Sequence, residues 1–260
     1  MKRRNLILAN LILFIFLIVF FFSLHHIVFW YQDNQKTDEQ IKKLQNIVKI
    51  NEPKNSITTE LLDDSKYSNV DLLSIDFTNL LTINEEIVGW IEIPNTNINY
   101  PFVKHSDNSY YLTHSFDKSY NNAGWLFLDY RNKIDNIDTN TIIYAHGRVD
   151  GTMFGSLKDV LTNDWLNKEQ YYIRVSTLSY NYLFEIFSAY HIKTTNDYLE
   201  TNFSNEEEYS NFLNTIQSRS MISLDTRVSS KNKIITLSTC YNNSEKMVVH
   251  AKLIKQEKRS

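Results

Sequence analysis

Ile234-Ile235-Thr236-Leu237-Ser238-Thr239-Cys240 is an apolar, β-branched run that stops at the polar turn Tyr241-Asn242-Asn243-Ser244. A second run of the same character, Met247 to Leu253, follows at once. Two such runs around a short polar turn read as paired strands, and they set the pattern for the chain upstream. Ile87 to Ile93 alternates and ends at Pro94, and Ile98 to Val103 carries Pro101, the mark of an edge or a strand start. Trp125 to Leu128, Thr141 to Ala145, Tyr171 to Val175 and Tyr182 to Tyr190 complete a set of short apolar runs separated by turn residues. Eight strands at this spacing predict a mainly β fold closed into a barrel. Two helical stretches interrupt them. One runs from Gly155 to Asn167, and the other from Ser204 to Ser218 with Ser204 as N-cap and Phe212, Leu213 and Ile216 inward.

The N-terminal third differs. Lys2, Arg3 and Arg4 precede an apolar stretch from Leu6 to Phe22 that continues more weakly to Tyr31. About 20 apolar residues suffice to cross a bilayer. Cations before the run and Asp33 after it place the N-terminus in the cytoplasm, with Trp30 and Tyr31 at the outer interface. The run exceeds the roughly 7–15 apolar residues of a cleaved signal, and no small-x-small cleavage site follows it. The expected layout is a cytoplasmic tail (residues 1–5), a single-pass membrane anchor (6–31), a polar linker with a short amphipathic helix near Ile41, Leu44, Ile47 and Val48 (32–74), and an extracytoplasmic catalytic domain (75–260). Pro53 reads as a break within the linker.

Composition narrows the function. A net charge of −3 gives no basis for nucleic-acid binding. A single cysteine forms no internal disulfide, and no His-x-x-x-His, His-Glu-x-x-His or Cys-x-x-Cys spacing supports a metal; no cofactor is expected. A free cysteine commonly serves as a small buried hydrophobe. Cys240, however, ends a strand at a loop, where a reactive group is both rigidly held and reachable. A cysteine nucleophile needs a proton partner, usually histidine. Of seven histidines, His146 ends the run Thr141-Ile142-Ile143-Tyr144-Ala145 and precedes Gly147, with Gly151 and Gly155 close behind. It occupies the same kind of strand end as Cys240. His250 falls inside the last strand and reads as structural.

These segments resemble a known family. Thr236-Leu237-Ser238-Thr239-Cys240 resembles the sortase signature TLxTC, and Tyr144 to Leu157 resembles the catalytic-histidine segment of class B sortases. Val88-Gly89-Trp90-Ile91-Glu92-Ile93-Pro94, Tyr110-Tyr111-Leu112 and Phe127-Leu128-Asp129-Tyr130-Arg131-Asn132 match further family segments in the same order. The resemblance covers roughly residues 75 to 255. The segments at Ile41–Val48 and Ser204–Ser218 are similar to the extra helices of class B, and class C is disfavoured for want of a second apolar span and of an Asp-Pro-aromatic lid motif.

The resemblance implies a sortase-type eight-stranded barrel and a cysteine transpeptidase. Such an enzyme cleaves a C-terminal sorting motif of an exported protein through a thioester on Cys240. It then transfers the acyl group to an amine of a peptidoglycan precursor, with His146 as general acid and then base. The family's third residue is an arginine before the last strand; Lys246 stands there, keeping the charge without the planar fork. Arg148 or Arg227 are the alternatives for that role. Ser238, Thr239, Asn108 and Leu112 are the expected substrate contacts. Two rivals stay open: a hydrolytic cysteine peptidase, and a catalytically impaired anchored binding module on the same scaffold.

Overall fold

β-Branched and aromatic residues at alternating positions form strands because one face of each can be buried. In the computed structural model, which describes residues 2–48, 59–61, 66–134 and 137–259, all eight expected runs are strands. They are β2 (Ile87–Glu92), β3 (Asn99–Val103), β4 (Phe127–Leu128), β5 (Asn140–Tyr144), β6 (Tyr172–Thr177), β7 (Tyr180–Lys193), β8 (Ile234–Cys240) and β9 (Glu245–Lys258). Their order, β9-β7-β6-β2-β3-β4-β5-β8, closes because β8 also pairs with β9. The β3–β4 and β5–β8 pairs are parallel, and the others around the ring are antiparallel. A short strand absent from the sequence reading, β1 (Thr59–Leu61), pairs with the far end of β9, beyond the reach of β8.

The barrel interior is filled by large side chains, including Trp90, Trp125, Phe102 and Phe184, each at most 2% exposed. Burying one such side chain contributes on the order of 1.5–3 kcal/mol. The indole nitrogens are satisfied as burial demands: Trp125 donates to the Pro101 carbonyl at 2.8 Å and Trp90 to Asn99 Oδ1 at 2.6 Å. A second cluster lies outside the barrel wall, where α4 (Glu206–Ser218) lays Tyr209, Phe212, Leu213 and Ile216 against Phe187, Tyr190, Ile234 and Val248.

The helices depart from the sequence reading in detail. The N-cap of α4 is Asn205, not Ser204: its side chain accepts from the Glu208 amide at 2.9 Å. The Glu208 carboxylate also accepts from the Ser204 amide at 2.6 Å, so the helix starts one residue later than expected. The Gly155–Asn167 stretch is two pieces, a 3-10 turn (Leu157–Leu161) and α3 (Asn163–Leu166). They are divided at Thr162, which is extended and caps the second piece. A further short helix, α2 (Thr78–Ile83), precedes the barrel.

The largest difference is at the N-terminus. α1 (Lys2–Ile47) is one continuous helix of 46 residues, so the polar stretch after Tyr31 is helical rather than a linker with a separate short helix. No proline or glycine interrupts residues 32–47, and their long polar side chains have good helix propensity. The helix changes surroundings midway. From Leu6 to Tyr31 its large apolar side chains are exposed. From Asp33 onward, Asp33, Thr37, Ile41 and Leu44 form a buried stripe at helical spacing. Asn121 Nδ2 donates to Thr37 Oγ1 at 3.1 Å, Asn122 Nδ2 to Asp33 Oδ2 at 3.0 Å, and Gln45 Nε2 to the Asn99 carbonyl at 3.2 Å. The expected break at Pro53 lies outside the described residues.

Candidate active site

Side chains alternate along β8. Ile235 and Leu237 face the main core, while Ile234 faces the outer cluster under α4. Cys240 is therefore on the outer face, at the last position of the strand, and it is exposed. The β8–β9 register places Lys246 directly opposite it. Lys246 Nζ donates to Cys240 Sγ at 3.2 Å. The hairpin that joins them is tightly bonded: the Tyr241 amide donates to the Glu245 carbonyl at 2.9 Å, Asn242 Nδ2 to Glu245 Oε2 at 2.6 Å, and the Thr194 amide to the Ser244 carbonyl at 3.1 Å.

On its other edge β8 runs parallel to β5, with Tyr144 beside Ser238. Two residues further on, the chain reaches His146 on one side and Cys240 on the other. Thr239 Oγ1 donates to the Ala145 carbonyl at 2.7 Å and latches the two strand ends together. Gly147 follows because nothing larger fits: a Cβ there would run into the Cys240 carbonyl. His146 Nε2 donates to the Leu112 carbonyl at 2.7 Å. A carbonyl only accepts, so this nitrogen carries hydrogen and Nδ1 is left for proton transfer. Gly124 packs against the imidazole edge; a Cβ there would lie 3.0 Å from His146 Cδ2.

The remaining sequence candidates are placed differently. Ser238 does share the Cys240 face, but it is buried and bonded to the Tyr198 hydroxyl at 3.0 Å. Thr239 is likewise buried on the Ala145 carbonyl. Both side chains are bonded within the scaffold. Asn108 donates to Asp129 Oδ2 at 3.0 Å and accepts from the Tyr130 amide at 2.9 Å. It thereby ties the 108–112 segment to a buried carboxylate that also accepts from Arg131 and from the Tyr144 hydroxyl. Burial alone would raise the Asp129 pKa, but the bonds from Arg131 and Tyr144 hold it below the usual range. Leu112 is partly exposed and is the one member of the four whose side chain stays available.

Lys246 is the candidate cation bonded to the thiol, and the two alternative arginines are placed differently. Arg148 donates to Asn34 Oδ1 of α1, to Asp150 Oδ2 at 2.6 Å and to Thr152 Oγ1 at 2.8 Å, which engages its guanidinium with those three side chains. Arg227 follows Thr226, whose hydroxyl bonds Glu185. Glu185 pairs with Lys252, and Lys252 with Ile234, at the opposite end of β8 from Cys240. Six residues of strand separate those ends by roughly 20 Å.

The sequence reading did not find the Leu112 carbonyl as the partner of His146, since a backbone acceptor leaves no residue signature. It also missed the contribution of α1 through Asn34. Among the described residues no group of three or more His, Cys, Asp or Glu side chains is arranged to hold a metal ion.

Residues 91–254 match the family model of the sortase domain. The chain is 37% identical over 183 residues to sortase B of Staphylococcus aureus (strain NCTC 8325 / PS 47), covering 69% of this chain and 75% of that protein. The same identity over 183 residues relates it to sortase B of Listeria monocytogenes serovar 1/2a, covering 69% and 74%. Among solved structures, sortase B from B. anthracis in complex with AAEK1 superposes with a TM-score of 0.71 at 36% identity, covering 86% of this chain and 99% of that one. A Staphylococcus aureus sortase B–substrate complex superposes with a TM-score of 0.65 at 37% identity, covering 69% and 84%. With a closed eight-stranded barrel and a match across most of its length, this chain belongs to the sortase family of cysteine transpeptidases as a homologue of sortase B.

Proposed function

We propose that this chain is a membrane-anchored transpeptidase that cleaves a C-terminal sorting motif of exported proteins and transfers them to an amine of a peptidoglycan precursor. The observation that carries the reading is the exposed Cys240 thiol held 3.2 Å from the Lys246 ammonium, one strand from His146. The thiolate is the nucleophilic form of a cysteine. The thiolate attacks the carbonyl before the scissile bond, and His146 gives a proton to the departing amine. The acyl group then rests on Cys240 as a thioester until an incoming amine, deprotonated by His146, resolves it. Lys246 balances the charge that develops on the carbonyl oxygen with a single point charge in place of an arginine fork.

Two relatives support the partner classes: one sortase B structure is a complex with triglycine and another a complex with a substrate. The exposed apolar half of α1 is long and apolar enough to span a bilayer. We place residues 6–31 in the membrane, residues 1–5 in the cytoplasm and the barrel outside it. The docked stretch from Asp33 to Val48 braces residues 75–260, the catalytic domain, close to the lipid surface.

The test is product analysis of the full chain in detergent, supplied with peptides copied from C-terminal segments of exported proteins of the same genome, with and without triglycine. Peptide ligated to triglycine is the expected product. Cleaved acid in the same amount with and without triglycine would instead make the protein a hydrolase.

A further inference from the structure

A lysine beside the nucleophile differs from an arginine in more than hydrogen-bond geometry. A guanidinium is always protonated and does not attack carbonyls, whereas a lysine amine, once it loses a proton, is a good nucleophile toward an acyl group. Lys246 Nζ lies 3.2 Å from Cys240 Sγ, the atom that carries the acyl group in the thioester proposed above. The acyl carbon is one bond from Sγ, so rotation about the Cβ–Sγ and S–C bonds can bring it to the roughly 3–3.5 Å of a near-attack arrangement with the amine. The two residues are also cross-strand partners in a closed register, and the turn between them is fixed by the Tyr241, Asn242 and Thr194 bonds. Neither can drift far from the other. Acylation also removes the interaction that occupies the ammonium, because a thioester sulfur carries no negative charge and is a poor acceptor.

We infer that Lys246 is an internal acceptor: when no external amine arrives, the acyl group moves from Cys240 Sγ to Lys246 Nζ. The C–S bond of the thioester breaks and a C–N amide bond forms. The thiol of Cys240 is regenerated, and the proton that the ammonium gives up leaves to solvent at this exposed lip. No oxidant or further reactant is required. The amide is not reversed by amines, so the product is an enzyme blocked at its own cation. Acceptor supply thus decides between turnover and self-inactivation. This inference rests on the Cys240 thioester of the proposed function.

The experiment treats the full chain with a small excess of p-nitrophenyl acetate, which acylates a reactive thiol whatever the sorting motif. The site and lability of the acetyl group are followed by peptide mass spectrometry. The expected course is a hydroxylamine-labile acetyl on Cys240 that declines while a hydroxylamine-resistant acetyl grows on Lys246. Triglycine should suppress the second adduct, and Cys240→Ala should lower acetylation of Lys246 by about tenfold or more, since the intramolecular route is lost. A Cys240 thioester that decays only to unmodified protein overturns the internal acceptor and leaves the transpeptidase reading standing. So does acetylation of Lys246 that is unchanged in Cys240→Ala. No thioester at any time point overturns the transpeptidase reading, and the internal acceptor with it.

Discussion

The two strand ends that meet at the site are held in opposite ways. Cys240 and Lys246 belong to one antiparallel hairpin, six residues apart, and their pairing follows from local register. His146 sits at the end of a parallel neighbour, and distant parts of the chain fix its place. The Leu112 carbonyl takes its Nε2–H, Gly124 backs its ring, and Arg148 in the following loop is anchored to Asn34 of α1. The thiol and its cation are thus set by local sequence, whereas the histidine is set by assembly of the whole domain. Damage to the first should therefore appear in chemistry, and damage to the second in stability and chemistry together.

The largest effect is expected within the hairpin. Lys246→Ala removes the charge beside the thiol and the donor toward the developing oxyanion, a loss of about 10²–10³ in kcat/KM for a peptide donor. Lys246→Arg should recover most of it, with little change in thermal stability for either variant. The next effect is on the histidine side. Gly147→Ala forces a Cβ against the Cys240 carbonyl, a clash with backbone that costs on the order of 1–3 kcal/mol of unfolding free energy. Urea unfolding should show that loss together with reduced activity. A normal midpoint would mean that the two strand ends are not in contact.

The smallest effect concerns the floor of the hairpin and depends on pH. His250 is fully buried opposite Thr236. The Tyr190 hydroxyl lies 3.0 Å from its Nε2, and its Nδ1 lies 2.9 Å from Thr236 Oγ1, which in turn donates to Asn140. That arrangement holds a neutral imidazole. Burial, with a smaller push from Arg219, lowers its pKa to about 3. An unfolded histidine titrates near 6.5. Between those values the unfolded chain binds a proton that the folded one does not, so the stability is complete above about pH 6.5 and is lost as pH falls toward 3. The slope is on the order of 1.4 kcal/mol per pH unit. Urea midpoints at pH 7.5 and 5 should diverge in the wild type and converge in His250→Gln.

Much of this architecture is legible in the chain because its signals are local. The eight strands announce themselves by alternation and by turn residues at their ends, and Cys240 and His146 by their positions at two such ends. What was not legible depends on contacts between distant segments. The continuity of α1 past Tyr31 is such a case: its polar half looks like a linker until Asp33, Thr37, Ile41 and Leu44 find the barrel. β1 is too short to carry a pattern of its own and exists as a strand through pairing with β9. The bonds of Ser238 to Tyr198 and of Asn108 to Asp129 could not be read from the sequence, because those partners are 40 and 21 residues away.

The claim that joins the two strand ends into one site is that His146 supplies the proton to the leaving amine. Its sharpest measurement compares the acylation rates of wild type and His146→Ala with two donors, a peptide and a p-nitrophenyl ester. An amide leaves only when protonated, whereas nitrophenolate leaves without help. The account predicts a deficit of about 10²–10⁴ with the peptide and a far smaller one with the ester, with acylation by either donor abolished in Cys240→Ala. Equal deficits with the two donors, or none with the peptide, would contradict it.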